Sequence, residues 1–110
     1  MSNDPNIGAL RHRVTLEAPV TSADGAGGRN VTWSAIATLW VAIEPVSAAE
    51  VAVADRLDGR VTHRITLRHR ADVVGGMRLT MDGRVFRILV AHDPDEAGRW
   101  TEILAEEEGR

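Results

Sequence analysis

The sequence predicts an all-β fold: a small antiparallel β-barrel of about six strands, with long loops and at most one short helix. Three observations carry this expectation. Residues 60–70 alternate with period two, placing Val61, His63, Ile65, Leu67 and His69 on one side and Arg60, Thr62, Arg64, Thr66, Arg68 and Arg70 on the other. That pattern marks a half-buried strand with one face on a core. Turn-forming clusters recur at short intervals between runs rich in Val, Ile, Thr and Trp, as in all-β barrels and sandwiches. A chain of 110 residues is expected to form a single domain over 1–110, and closure spares so short a chain two exposed sheet edges.

The elements follow in order. Residues 1–9 are polar, with Pro5 and Gly8, and are expected to form a flexible arm. Leu10, His12, Val14 and Leu16 alternate with Arg11, Arg13, Thr15 and Glu17, which predicts a first strand. Residues 21–30 hold Asp24, Gly25, Gly27 and Gly28 and predict a loop. A long β-rich strand is expected over 31–44, with a bulge or break at Ser34–Ala35 and a stop at Pro45, which cannot donate to a ladder. Ser47 followed by Glu50 is a capping-box spacing, so 47–57 is the place for the one short helix. Asp58–Gly59 closes that segment before the alternating strand. After a connector over 71–76, residues 77–81 and 84–91 form a hairpin through Asp82–Gly83, a pair suited to a two-residue turn with positive φ. A turn over 93–98 leads to a last strand over 99–106.

Composition narrows function. The net charge is −3, which argues against a free-standing nucleic-acid binder. All 13 basic side chains are arginine, each a planar fork suited to carboxylate or phosphate. Cysteine is absent, so disulfides, thiolate nucleophiles and cysteine-ligated zinc are excluded. The first residues lack the basic and apolar regions of a signal peptide, and no apolar run reaches the length of a membrane helix. The expectation is a soluble, cytoplasmically made protein with no membrane partner.

No catalytic motif emerges. His12, His63, His69 and His92 invite a metal reading, but their spacing matches no ligand motif, and His63 and His69 are roughly 20 Å apart along a strand. Gly25–Ala26–Gly27–Gly28 lacks the Lys–Ser/Thr of a phosphate loop, and Asp93, Asp95 and Glu96 lack the ligand spacing of a calcium loop. No catalytic residue, metal ligand or cofactor is therefore assigned.

The arginine face remains. It suits a subunit interface, with Arg60, Arg64, Arg68 and Arg70 meeting Glu106, Glu107 and Glu108 of an adjacent copy. The alternative is a monomeric oligonucleotide-binding β-barrel. Against that, Trp33, Trp40, Phe86 and Trp100 are scattered along the chain rather than interleaved with the basic residues.

Taken in order, residues 10–16 (LRHRVTL), the loop with Asp24, Gly25, Gly27 and Gly28, Trp33, residues 37–45 (ATLWVAIEP), 62–68 (THRITLR), 76–79 (GMRL), 82–88 (DGRVFRI) and Arg99–Trp100 form a recognisable set. It resembles the phage head–tail joining family, also called head-completion, adaptor or stopper proteins of long-tailed phages, from about Gly8 to Glu107. The family also occurs in prophages and phage-like gene-transfer particles. The resemblance implies a structural virion protein, not an enzyme. It would be assembled in the bacterial cytoplasm into a ring at the head–tail connector, closing the DNA-filled head below the portal and giving the tail its platform. Its implied partners are copies of itself, a portal or adaptor above and a tail terminator or tail-completion protein below. DNA would pass through without sequence-specific binding. The family's channel-side excursion corresponds to residues 46–59, with Ser47, Glu50, Asp55, Asp58 and Gly59 as candidate channel residues. Asp24, Gly25, Gly27 and Gly28 become a candidate docking loop.

Overall fold

The computed structural model describes residues 9–46 and 60–109. Six strands form: β1 (His12–Ala23), β2 (Arg29–Pro45), β3 (His63–Arg68), β4 (Arg78–Met81), β5 (Arg84–His92) and β6 (Trp100–Glu107). They close into a barrel in the order β1-β2-β3-β6-β5-β4, with every neighbouring pair antiparallel. This is the expected all-β barrel, and no helix occurs among the described residues. The segment in which a short helix was expected, 47–57, lies outside them.

Period-two patterning builds the core. Val14 and Leu16 of β1, Val41 of β2, Ile65 and Leu67 of β3, Leu79 of β4, Phe86 and Ile88 of β5, and Ile103 and Ala105 of β6 all point inward and are buried. Val73 and Met77 from the β3–β4 connector cover one end of this cluster. Phe86 is the largest fully buried side chain.

The Asp82–Gly83 turn behaves as its chemistry predicts. Asp82 has φ 47° and Gly83 φ 79°, the double left-handed conformation that matches the twist of a two-residue hairpin.

Two boundaries differ from expectation. β3 spans only His63–Arg68, although backbone bonds flank it: the Thr62 N–H donates to Ala105 O and the His69 N–H to Arg99 O. Arg60 and Arg70 thus lie outside the strand proper. The loop expected over 21–30 is shorter still. β1 runs on to Ala23 and β2 begins at Arg29, in register from Glu17↔Ala35 to Ala23↔Arg29. β-Branched Val20, Thr21, Val31 and Thr32 favour extended backbone over loop there. The expected irregularity in β2 falls at Ile36, beside Ser34–Ala35: Leu16 pairs with Ala37 and Glu17 with Ala35, leaving Ile36 as the extra residue of a bulge.

The bulge marks where a two-stranded ribbon leaves the barrel. β4 pairs with β1 only over residues 15–17, and β3 pairs with β2 only over 41–45. Beyond those points β1 and β2 pair only with each other among the described residues and project roughly 20 Å. Because strand direction alternates around the barrel, the connections sort to two ends. One end carries the ribbon, the 69–77 connector and the 93–99 turn. The opposite end carries the chain start, the Asp82–Gly83 turn and the base of the 47–59 excursion, where the Val46 N–H donates to Thr62 O at 3.1 Å.

Candidate assembly surfaces

The expected docking loop sits at the ribbon tip and is tightly built. Asp24 Oδ1 accepts the Ala26 N–H at 2.8 Å and the Gly28 N–H at 3.0 Å. Gly25 and Gly27 have φ 82° and 86°, a region that L side chains rarely adopt. A Cβ on Gly28 would lie 2.5 Å from Asp24 Oδ2. The tip therefore presents backbone around one capped carboxylate.

At its base the ribbon is fastened to the barrel. Arg78 of β4 lies beside Glu17 of β1, donating from Nε to Oε1 at 2.6 Å, and its guanidinium lies 4.2 Å from the centre of the Trp33 ring on β2. Three strands thus meet on one cation. Past this clamp the ribbon is exposed on both faces, and Val20 and Val31 keep about half of their surface accessible.

The charged residues expected at an interface distribute unevenly. Arg60, Arg68 and Glu108 are exposed. Arg64 approaches Glu44 to 3.7 Å. Arg70 holds Asp72 through two bonds of 3.0 and 2.8 Å. This pairing pushes the Arg70 guanidinium up and holds the Asp72 carboxyl below its usual range, hydrogen bonding being the main cause in each. Glu106 pairs with Arg87. Glu107 is turned inward, 5 % exposed, and accepts a two-pronged contact from Arg84 at 2.8 and 3.1 Å. Arg84 in turn lies over Phe86 at 4.8 Å, and its guanidinium is raised by the same carboxylate. Glu107 is therefore engaged within its own subunit. The candidate channel residues Ser47, Glu50, Asp55, Asp58 and Gly59 lie outside the described residues.

His63, His92 and the acidic turn make local contacts within the subunit. His63 makes an edge contact with Phe86 at 5.2 Å, and its Nδ1 lies 2.9 Å from Thr62 Oγ1. His92 is 3.4 Å from Glu102. Asp93 and Asp95 accept the Gly98 and Ala97 N–H groups, and Asp95 also pairs with Arg99, which holds its carboxyl below the usual range.

One juxtaposition is invisible along the chain. Trp40 and Arg68 each lie one residue beyond the Val41↔Leu67 pair, and Arg68 pairs across with Trp100. Arg13, opposite Trp40 in the β1–β2 register, has its guanidinium 6.0 Å from the Trp40 ring. The outer face thus carries the row Arg13–Trp40–Arg68–Trp100 across β1, β2, β3 and β6. The aromatics that are scattered in sequence are interleaved with arginines in space. Trp40 is 56 % exposed and borders a cleft of about 260 Å³ with Leu10, Arg68 and His69. Tryptophan and arginine are the residues that most often anchor protein interfaces.

A family model described as phage head completion protein matches residues 5–108. The chain belongs to the phage head completion protein family. Family members are structural proteins of the phage head, which agrees with the expected virion role. The solution structure of protein SF1141 from Shigella flexneri 2a is 32 % identical, with a TM-score of 0.75, covering 96 % of this chain and 99 % of that one. A chain from the virion of a native gene transfer agent particle is 27 % identical, with a TM-score of 0.66, covering 89 % of this chain and 93 % of that one. No curated protein matches.

Proposed function

We propose that this head completion protein is a ring-forming subunit of the head–tail connector, without catalytic activity. The ring sits below the portal, closes the DNA-filled head and gives the tail its platform. The observation that carries this reading is the similarity, over nearly the whole of both chains, to a chain of a gene transfer agent virion. The two-ended barrel supports it. The end of β2 and the start of β3, which the 46–59 segment joins, lie at one end of the barrel and the ribbon at the other, which suits a subunit placed between a channel and a neighbour. Its partners are copies of itself, a portal or adaptor protein above, and a tail terminator or tail-completion protein below. DNA passes through without sequence-specific binding. Assembly takes place in the bacterial cytoplasm, and the protein ends in the virion. Deleting the gene from a producing strain should leave tailless heads that lose DNA, and adding the purified chain should restore tails. Normal tailed particles in the deletion strain would refute the proposal.

The Arg13–Trp40–Arg68–Trp100 row favours one second reading, a monomeric oligonucleotide-binding barrel, because alternating cations and aromatics also bind single strands. Submicromolar binding of a short single-stranded DNA at physiological salt, with no ring in particles, would decide for it.

A further inference from the structure

We infer that neighbouring copies join edge to edge through their ribbons: the outer edge of β1 over 18–23 pairs with the outer edge of β2 over 29–34 in the next copy. The inference rests on the ring reading and supplies its contact.

The two edges are matched by construction. β1 beyond Glu17 has no strand on the side away from β2, and β2 before Val41 has none on the side away from β1, among the described residues. The register places 18–23 at the same height as 29–34. Rotation about an axis along the ribbon preserves height, so the free edge of β1 over 18–23 in one copy meets the stretch 29–34 of the longer free β2 edge in the next. β1 and β2 run in opposite directions, so the new pair is antiparallel, as in the barrel. A rotation that repeats this heterologous contact closes a ring.

The hydrogen-bonding groups also match. The Asp24 N–H donates to Gly28 O at 3.2 Å, which makes that pair a bonded one. Bonded and non-bonded pairs alternate in an antiparallel ladder. Ser22–Asn30, Val20–Thr32 and Ala18–Ser34 are therefore the bonded pairs inside the ribbon, and residues 19, 21, 23, 29, 31 and 33 turn their backbone groups outward. Across the new contact Thr21 meets Val31 and Ala23 meets Arg29. Pro19 meets Trp33, accepting its N–H and donating nothing.

Composition leaves the β2 edge available. Edge strands are usually blunted by charge or proline. Residues 30–34 contain neither, and the one charge of the proposed β2 edge, Arg29, stands at its terminal pair. Pro19 stands at an outward position, where it costs no bond inside the ribbon. It removes one donor from the β1 edge and leaves the β2 edge complete.

The test uses the absence of native cysteine. Thr21→Cys and Val31→Cys chains are co-expressed in the producing strain, and each is also expressed alone. Bonded antiparallel partners have Cα atoms about 5.5 Å apart, within disulfide range. Oxidised particles from the mixture should contain cross-linked dimers, and particles from either variant alone should not. Dimers from Val31→Cys alone would mean β2–β2 pairing and overturn the inference. A ring visible by microscopy with no cross-link in the mixture would overturn it while leaving the ring reading intact. Absence of any ring from wild-type particles would overturn both. A Val31→Pro chain gives an independent readout. It should keep wild-type circular dichroism and thermal midpoint while the yield of tailed particles falls about tenfold or more, since proline removes an outward donor only. An unchanged yield would count against the contact.

Discussion

Arg78 and Glu17 are register partners on β4 and β1, and the 2.6 Å bond between them is made beneath the ring of Trp33. This contact stands where β4 stops supporting β1 and the ribbon begins. Both charged side chains are about one-fifth exposed, so the bond is partly shielded from solvent. A cation–π contact at such a site contributes about 0.5–1 kcal/mol and the ion pair about as much. Arg78→Ala should therefore lower unfolding free energy by about 1–2 kcal/mol in urea. It should also speed amide exchange at Ala18 and Ser34, a bonded pair of the ribbon, more than in β6. Arg78→Lys should recover less than half of the loss, because lysine has no planar guanidinium fork to stack on the indole. Uniform acceleration across the barrel would mean that Arg78 acts on global stability alone.

The clamp also shows what the sequence could and could not disclose. Alternation in β1 and β3 and the Asp82–Gly83 turn were legible, because each depends on neighbours in sequence. The ribbon was not. Residues 21–23 and 29–30 include turn-prone Ser22 and Asn30, and their strand state comes from pairing with each other. Glu17, Trp33 and Arg78 are far apart in the chain, and only barrel closure through β1 and β4 joins them. The Arg13–Trp40–Arg68–Trp100 row escaped notice for the same reason. Spacing along the chain separates its aromatics from its arginines, and registers on three strand pairs bring them together.

The Arg84–Glu107 pair should respond asymmetrically to truncation. Glu107 is 5 % exposed, whereas the Arg84 side chain is 36 % exposed. Glu107→Ala frees a guanidinium that reaches water, and should cost about 1–2 kcal/mol. Arg84→Ala removes the two-pronged contact from a buried carboxylate that His63 Nε2 approaches to 4.0 Å, and uncovers Phe86; it should cost about 3 kcal/mol. Equilibrium unfolding of both variants checks the order. A larger loss for Glu107→Ala would show that other groups around the carboxylate satisfy it without Arg84.

Acid should weaken the β3–β4 connector through Asp72. Its carboxyl is held below the ordinary range by the hydrogen bonds from Arg70. A depressed folded pKa gives stability that is present above the unfolded value of about 3.9 and lost as pH falls through the folded value. Asp72 is about half exposed, so solvent screening limits the effect to a few tenths of a kcal/mol. A carbon-detected titration of the Asp72 carboxyl should give a midpoint below that of a model peptide. Asp72→Asn should reduce the acid dependence of stability by the same small amount. A midpoint at or above the peptide value would refute the assignment.

The outer row should matter to assembly more than to folding. Trp40 is 56 % exposed and Arg68 is exposed beside it, so truncating either removes little buried surface. Arg68→Ala should stay within about 0.5 kcal/mol of wild type, and Trp40→Ala, which also loses the Arg13 contact, should cost about 1 kcal/mol. Arg64 differs, because it lies 3.7 Å from Glu44 with its side chain 29 % exposed. Adding Arg64→Ala to Arg68→Ala should cost up to about 1 kcal/mol. If the row anchors a protein neighbour, Trp40→Ala and the Arg64→Ala/Arg68→Ala pair should each lower the yield of tailed particles while leaving the isolated barrel folded. Wild-type chain should at the same time show no tight binding to short single-stranded DNA at physiological salt. The two readings separate on these measurements together. Normal particle yield in the variants, combined with tight wild-type DNA binding that Trp40→Ala abolishes, would transfer the row from the connector to nucleic acid.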